Sequence, residues 1–418
     1  MKLALIGAGQ RGMIYAEYAH HTKKAEIVAV VEPDLERRNA AGEKLEVGED
    51  KLFSSVEEFY RLGRVADGLI IASMDRDHYE QTMKALDLGY HILLEKPISP
   101  NPKECLEIQK KANENKLHVV VCHVLRYTNF FSTIKDIIES NELGKVITIQ
   151  HNENVGNFHI AHSFVRGNWR RSDLASPLIM QKSCHDMDIL AWLVDSEPKY
   201  IASYGNLTYF KEENAPEGST DRCLTCPVAE ECRFDARKAY LPVAGSWPAT
   251  LVSPEADREA VLNALETSPY GRCVYRCDND VCDNQVAIIQ FKNDVTVSFN
   301  LSGFTNKMCR TIKVMCEDGE IRGDDSLNTI EVTKFNSNNK DQVEKKVIHP
   351  GIVEGFHGGG DVGLMVDFLQ LIENQQSGSR SSIDQSVESH IMACAAEESR
   401  LTGKVIDVDE MKARLMRL

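Results

Sequence analysis

The sequence contains 418 residues, 42% of them hydrophobic and 27% charged, which is the composition of a globular protein long enough for two domains. Its net charge of −15 argues against a nucleic-acid or anionic-membrane partner, because both require a basic face. No run of about eighteen apolar residues is present, and the chain opens on a strand without room for a signal peptide, so we expect a cytoplasmic protein.

The first predicted strand leads into a glycine-rich turn. An apolar run at residues 3–6 is followed by the pattern G-x-G-x-x-G and then by a helical pattern, which is the context of a dinucleotide-binding turn. In such a turn the first glycine allows the bend, the second lets backbone approach a pyrophosphate, and the third lets helix pack on strand. The helix N-terminus offers free N–H groups to the phosphates. The predicted cofactor-binding residues of this turn are Gly7, Gly9, Gln10, Arg11 and Gly12.

A second apolar strand, at residues 27–31, ends in Glu32, about twenty residues past the turn, where a ribose-binding acid belongs. Glu32 would accept hydrogen bonds from both ribose hydroxyls of NAD and repel the 2′-phosphate of NADP. Arg37 and Arg38 could instead hold that phosphate, although a solvated helix face explains them as well. The sequence favours NAD over NADP.

Three further strands are predicted at residues 67–73, 91–94 and 117–122, and they alternate with helices. This alternation is typical of a parallel, doubly wound sheet, in which ligands bind beyond the carboxyl ends of the strands. Polar residues at or near those ends are therefore site candidates. Ser73, His78, Glu95 and Lys96 are predicted to contact the cofactor, and His123 and Arg126 the substrate.

These segments together resemble one oxidoreductase family. The residues that carry the resemblance are Gly7-x-Gly9-x-x-Gly12, Glu95-Lys96-Pro97 and His123-Val124-Leu125-Arg126-Tyr127. This combination is similar to the Gfo/Idh/MocA family (glucose–fructose oxidoreductase and inositol dehydrogenase). The resemblance implies an N-terminal Rossmann domain, at residues 1–125, and a C-terminal α/β domain with a large open, mostly antiparallel sheet, at 126–418. It also implies a sugar or polyol substrate and a homodimer or homotetramer.

Lys96 is the first predicted catalytic residue. A lysine at a strand end beside a nicotinamide can hydrogen-bond a substrate hydroxyl and stabilise negative charge on its oxygen. Pro97 fixes the backbone next to it, and in the family this peptide bond is often cis. The structural alternative is a surface lysine paired with Glu95.

His185 is the second predicted catalytic residue, and it lies in a helix predicted over residues 177–194. The family resemblance implies an aspartate one helical turn before this histidine, the two forming an acid–base pair. Gln181 occupies the aspartate position and cannot ionise, which puts the simple dehydrogenase mechanism in doubt. Gln181 and its neighbour Lys182 are predicted to contact substrate.

Two other segments supply substrate-binding candidates. Residues 159–171 mix histidines, aromatics and cations, which suits a polyhydroxylated or anionic ligand, and Arg166 and Trp169 are the candidates there. His357 and Asp361 flank three glycines, and in the family this segment lies by the substrate. The structural alternatives are a hydrogen-bonded surface loop for the first segment and a helix cap for Asp361.

An insertion at about residues 211–283 departs from the strand pattern of the sheet and is rich in cysteines. Cys223-x-x-Cys226 places two thiolates on one turn, and Cys232 with one later cysteine would complete a four-thiolate metal site. Cys273, Cys277 and Cys282 are the later cysteines, and Cys273 is the predicted ligand. Reduced cysteines in an irregular segment are the alternative. If metal binds, structural zinc is favoured first and an iron–sulfur cluster second.

The leading functional hypothesis is an NAD-dependent oxidoreductase that transfers hydride between nicotinamide and a secondary hydroxyl of a sugar, polyol or glycoside. The second is a redox-neutral glycosidase that oxidises C3 transiently, eliminates the aglycone, adds water and reduces the product again; Gln181 and the cysteine insertion favour it. A ligand sensor without catalysis is the third.

Overall fold

The computed structural model describes residues 1–255, 257–335, 343–351, 353, 356–374 and 378–417. The first sheet has six parallel strands. They are β1 Lys2–Ile6, β2 Glu26–Val31, β3 Leu52–Phe53, β4 Gly68–Ile71, β5 His91–Leu94 and β6 Val119–Val121, in the order β3-β2-β1-β4-β5-β6. The predicted doubly wound parallel sheet is confirmed. The sequence reading missed β3, because a two-residue strand has no periodicity.

Five helices alternate with these strands. They are α1 Gln10–His21, α2 Leu35–Lys44, α3 Val56–Tyr60, α4 His78–Asp87 and α5 Pro102–Asn115. All four residues of β4 are buried, which is expected for a parallel strand covered by helices on both faces.

The second sheet has nine strands. They are β7 Val146–Asn154, β8 Pro198–Asn206, β9 Asn284–Phe291, β10 Thr296–Ser302, β11 Cys309–Cys316, β12 Gly319–Asp324, β13 Thr329–Lys334, β14 Glu344–Ile348 and β15 Ile406–Asp407. The order is β14-β13-β12-β11-β7-β10-β9-β8-β15, and in this sheet β7 with β10 is the parallel pair among the strands that the structure describes. The predicted large, mostly antiparallel sheet is confirmed.

The remaining helices surround the second sheet and return to the first. They are α6 Asn129–Glu139, α7 Asn157–His159, a π-helix Ile160–Arg166, α8 Leu178–Gln181, α9 Cys184–Val194, α10 Ala236–Tyr240, α11 Ala249–Val252, α12 Arg258–Thr267, α13 Gly360–Asn374, α14 Ile383–Thr402 and α15 Val408–Arg417. Within the described part of the chain, none of the helices combines the length and the hydropathy that crossing a bilayer requires.

Two late helices connect the C-terminal part of the chain to the first sheet. α13 contacts α1, and its Leu364, Met365 and Phe368 share a buried core with Leu3 and Leu5 of β1. α14 contacts α5 on one side and α9 and β8 on the other. The first sheet is therefore covered in part by helices that lie beyond the predicted first domain.

One predicted helix is interrupted. The sequence reading gives a single helix over residues 177–194, but the structure has α8 and α9 separated at Lys182 and Ser183, and the φ,ψ values of Ser183 are −101° and 9°. The backbone carbonyl of Gln181 accepts a hydrogen bond of 3.0 Å from Nζ of Lys96. The single-helix prediction is wrong because it could not include this contact from another part of the chain.

His390 of α14 fixes the backbone that follows Lys96 and Pro97. Its Nε2 accepts from the Ile98 N–H at 2.8 Å, and its Nδ1 lies 2.9 Å from the Ser386 carbonyl oxygen. The side chain is fully buried. Burial, with a contribution from His123, lowers the pKa of His390 from 6.5 to about 3.

A histidine whose pKa is depressed on folding makes stability fall as the pH drops, because the unfolded chain binds its proton first. We expect the free energy of unfolding to decrease from about pH 6.5 down to about pH 3, with His390 contributing up to about 1.4 kcal/mol per pH unit. Urea titrations at several pH values across this range measure how steeply the free energy of unfolding changes with pH. His390→Gln retains an acceptor for the Ile98 N–H but cannot titrate, so its slope should be shallower, whereas exposed His21→Gln should match the parent protein. Equal slopes for His390→Gln and the parent would contradict the assignment.

Candidate active site

The glycine turn after β1 has the geometry that a close phosphate approach requires. Gly7 has φ +90°, and a Cβ there would lie 2.5 Å from the Ala72 carbonyl oxygen. A Cβ on Gly12 would lie 2.1 Å from the Gly7 carbonyl oxygen, so helix α1 needs glycine at this position. A Cβ on Gly9 would meet no atom within 4 Å. The space in front of Gly9 and the first N–H groups of α1 is thus open to a ligand.

Glu32 lies directly after β2 and is buried beside this turn. Its Oε2 accepts from the Ala8 N–H at 3.0 Å and its Oε1 from the Asp34 N–H at 3.1 Å. Arg37 is 3.2 Å from Oε1, and Arg38 donates to the carbonyl oxygens of Glu32 and Pro33. Both arginines are therefore already held by protein groups, so the carboxylate dominates the position where a cofactor ribose would bind.

A cleft of about 250 Å³ opens beyond the carboxyl ends of β4 and β5. Its lining joins both parts of the chain, and it includes Arg11, Ser73, Asp75, Glu95, Lys96, His159, Phe164, Trp169, Gln181, Lys182, His185, Arg310 and His357. Most of the predicted catalytic and substrate residues therefore meet in one place.

Lys96 is held inside this cleft by Gln181. Nζ of Lys96 lies 3.0 Å from the Gln181 backbone oxygen and 3.4 Å from its Oε1, and 5.8 Å from the Trp169 ring centre. The Lys96–Pro97 peptide bond is cis. Nε2 of Gln181 donates at 2.8 Å to Asp75, a buried carboxylate that also accepts from Ser176. Asp75, from the loop after β4, thus places a carboxylate against Gln181, the position where the family resemblance implies an aspartate.

His185 borders the same cleft and is 8% exposed. Its Nδ1 has no hydrogen-bond partner among the described residues, and its ring centre lies 5.7 Å from that of His123 and 6.3 Å from that of His357. Burial lowers the pKa of His185 well below 6.5, and the positive charge of Lys96 lowers it further. The imidazole is therefore neutral at physiological pH and can accept a proton.

Arg11 and Glu95 belong to a charge network rather than to an open phosphate site. Glu95 accepts from Nε of Arg11 and from the Tyr15 hydroxyl, both at 2.8 Å, and Arg11 also pairs with Asp361. Asp361 lies 3.0 Å from Nδ1 of His357. Burial acts to raise the pKa of Glu95, but Arg11 and Lys96 lower it below its usual value. This network connects the cofactor turn to the start of α13.

Besides Asp361, Glu32 and the residues of the glycine turn other than Arg11, four predicted contact residues do not line the cleft. His78 is buried, with its ring nitrogens 2.8 Å from the Pro97 oxygen and 3.3 Å from the Ser73 oxygen, so it braces the strand-end loops. His123 is fully buried behind His185. Arg126 forms two 2.7 Å bonds to buried Asp188.

Arg166 is the fourth, and it points into the insertion. It donates to the backbone oxygens of Arg272 and Phe234 at 2.7 Å and lies 3.3 Å from Sγ of Cys223. The cation-rich stretch suggested a ligand contact, but Arg166 lines a cavity of the insertion, whereas His159 and Phe164 line the cleft. The four cysteines predicted as metal ligands line one small cavity in the same insertion.

The sequence reading missed Asp75 and Arg310. Asp75 lies four residues past β4, in the loop region where site residues are expected, so its position was the available signal. Arg310 of β11 binds Glu153 through Nη2 at 2.6 Å and Asp186 through Nε at 2.8 Å, while Lys182 lies 3.5 Å from Glu153. Nothing in the local pattern of β11 distinguishes Arg310 from other strand residues.

Two family models match the chain. Residues 1–123 match the oxidoreductase family, NAD-binding Rossmann fold, and residues 135–408 match the oxidoreductase family, C-terminal alpha/beta domain. The Bacillus subtilis protein YteT is 25% identical over 75% of this chain and 75% of its own length. Inositol 2-dehydrogenase of Corynebacterium glutamicum is 26% identical, over 47% of this chain and 55% of its own.

Among solved structures, levoglucosan dehydrogenase in complex with NADH and L-sorbose superimposes with a TM-score of 0.72. The alignment covers 98% of each chain at 16% sequence identity, which is a likeness of fold. Because both family models match and together span most of the sequence, the chain belongs to the Gfo/Idh/MocA oxidoreductase family.

Proposed function

We propose that the protein is an NAD-dependent dehydrogenase that oxidises a secondary hydroxyl of a sugar, polyol or glycoside. The observation that carries the proposal is the convergence of Lys96 and His185 on one cleft, beyond the strand ends and the glycine turn. The relatives named inositol 2-dehydrogenase and levoglucosan dehydrogenase support this substrate class. The name of the family's N-terminal model supports NAD.

The residues around the turn fit an NAD molecule. Open space at Gly9 and the α1 N-terminus suit the pyrophosphate, and the fixed Glu32 carboxylate suits two ribose hydroxyls. NAD bound there would supply the hydride acceptor.

Lys96 and His185 divide the remaining chemistry between them. The Lys96 ammonium donates a hydrogen bond to the substrate oxygen and stabilises its developing negative charge. The neutral imidazole of His185 accepts the hydroxyl proton as the carbon–hydrogen bond breaks and its electron pair leaves as hydride. In the reverse direction His185 returns the proton to the alkoxide.

Gln181 has a positioning role in this scheme. Two contacts from its backbone and side-chain oxygens direct Nζ of Lys96, and its amide is itself oriented by Asp75. The family resemblance implies a carboxylate one helical turn before His185. In this chain the carboxylate of Asp75 instead contacts Gln181, the residue that holds Lys96.

The predicted homodimer or homotetramer also remains a proposal. The second sheet exposes Tyr204, Val286 and Ile288 on adjacent strands β8 and β9, where Tyr204 is paired with Val286. A contiguous apolar sheet face of this kind is suited to subunit association.

Replacing Lys96 tests the catalytic assignment. Lys96→Ala should reduce kcat/KM about 10²- to 10³-fold, because it removes a charged donor from the developing oxyanion, while NADH binding followed by fluorescence stays unchanged. Exposed Lys110→Ala is the matched control and should retain full activity. A Lys96→Ala enzyme with the turnover of the parent would exclude this role.

Replacing Glu32 tests the cofactor preference. Glu32→Gln keeps two hydrogen-bonding atoms but removes the charge, so NAD affinity should fall at least about tenfold, since hydrogen bonds to charged groups contribute about 1.5–3 kcal/mol. NADP affinity should rise, because repulsion of the 2′-phosphate is lost. Titration calorimetry with both cofactors measures the change, and Glu36→Gln on the exposed side of α2 is the control. An unchanged NAD-to-NADP ratio would show that Glu32 does not read the ribose.

A screen of nitrophenyl glycosides and free polyols separates the dehydrogenase from the glycosidase. With added NAD, the dehydrogenase should increase absorbance at about 340 nm as NADH accumulates. Release of nitrophenolate at about 400 nm without NADH would instead identify redox-neutral cleavage and overturn the proposed net oxidation.

A further inference from the structure

The insertion brings four separated cysteines to one enclosed cavity. Cys223, Cys226, Cys232 and Cys273 all line a space of about 20 Å³. Backbone bonds join Cys226 N to the Cys223 oxygen and Cys232 N to the Ala229 oxygen, so successive tight turns bring the first three together. An isolated antiparallel bridge between Arg222 and Arg272 then places Cys223 and Cys273 on adjacent backbone segments.

The other nearby cysteine is excluded from this cavity. Sγ of Cys277 is 3.2 Å from the Cys273 backbone oxygen, and Cys277 lines a second cleft rather than this cavity. All twelve cysteines are free, so no disulfide explains the cluster.

Arg166 brings a buried positive charge to the cavity. Its side chain is 1% exposed, and it contacts two backbone oxygens, the Cys223 thiol and the Tyr240 hydroxyl. Asp235 lines the same cavity, but its carboxylate pairs with Arg237, and among the described residues no carboxylate forms an ion pair with Arg166. Because the groups that contact Arg166 carry no formal negative charge, an anion in this cavity would stabilise the buried guanidinium.

The spacing of the sulfurs distinguishes between metal centres. Zinc holds thiolates at about 2.3 Å, which brings the sulfurs to about 3.8 Å of one another. Among the described residues, the group of three ligand atoms lying within 4.8 Å of one another is Cys309, Asp324 and Asp325, so no three of the four sulfurs are that close. An iron–sulfide core separates its cysteine ligands more widely, because the core itself lies between them.

We propose that Cys223, Cys226, Cys232 and Cys273 bind a four-iron–four-sulfur cluster. With four thiolates such a cluster is anionic, so it supplies the missing partner of the Arg166 guanidinium. The sequence analysis favoured zinc over an iron–sulfur cluster, and the structure leads us to prefer the cluster.

The cluster has a structural consequence for the cleft. Arg166 closes the π-helix, whose Phe164 and preceding His159 line the cleft, and its other contacts are to the insertion at Phe234 and Arg272. A cluster bound beside Arg166 therefore fixes the insertion against the wall of the cleft. This inference does not require the proposed dehydrogenase activity.

Metal analysis of the full-length protein, purified without oxygen, tests the site. We expect about four iron and four acid-labile sulfide per chain, and an absorbance band near about 400 nm that bleaches with dithionite. One equivalent of zinc without iron would overturn the cluster. So would protein that binds neither metal after anaerobic incubation with ferrous iron, sulfide and thiol reductant.

Cysteine variants test the ligand set. Cys226→Ser should lose most of the iron and sulfide, whereas Cys282→Ser and Cys309→Ser should retain the amount in the parent protein. NADH binding, measured on each variant, reports folding, since the glycine turn lies in the other sheet. Full iron content in a folded Cys226→Ser protein would contradict the assignment of Cys226.

Discussion

The position of Lys96 depends on one hydrogen bond between two distant parts of the chain. Its ammonium donates to the backbone oxygen of Gln181, at the point where α8 ends and before α9 begins. Without this contact the lysine at the end of β5 would have no fixed direction. With this hydrogen bond, the end of β5 and the break between α8 and α9 are held together, which also positions His185 of α9. The arrangement of the cleft thus follows from satisfying a half-buried donor and a helix-end carbonyl together.

Several interactions hold the two halves of this cleft in register. His390 binds the Ile98 amide next to the cis peptide, Arg126 and Asp188 form a buried bidentate pair, and Arg11 links the glycine turn to Asp361. Each of these buried groups is paired, which is what makes burial of so many charges compatible with folding. The rigid frame leaves few polar groups free, and those that face the cleft are the ones available for chemistry.

Much of the first sheet and its turn could be predicted because the signals are local. The glycine spacing, Glu32 at the end of β2 and the apolar strand runs depend on neighbours within a few residues. The large sheet followed from alternating strands and from the family resemblance. β3 was too short to detect, and the break between α8 and α9 depends on Lys96, which is 85 positions away.

The site residues also divide into those with a local sequence signal and those that depend on contacts made only in the folded chain. Lys96 and His185 were found through motif and resemblance, and the structure brings them to one cleft. Arg126 was predicted from its position near a strand end, and Arg166 from the cation-rich stretch around it. A sequence cannot show that Asp188 or buried backbone carbonyls already bind these guanidinium groups. Asp75 and Arg310 were missed for the converse reason, since only the folded chain places them at the cleft.

The link between Arg11 and α13 has a consequence for modular engineering. The helix that covers one face of the first sheet, and that carries the carboxylate partner of Arg11, is encoded far beyond the nucleotide-binding segment. A chimera that exchanges the C-terminal part between relatives to change substrate would also replace this cover and this partner. Crossovers that preserve the cofactor half must therefore transfer α13 together with residues 1–125, as two separate segments of one module.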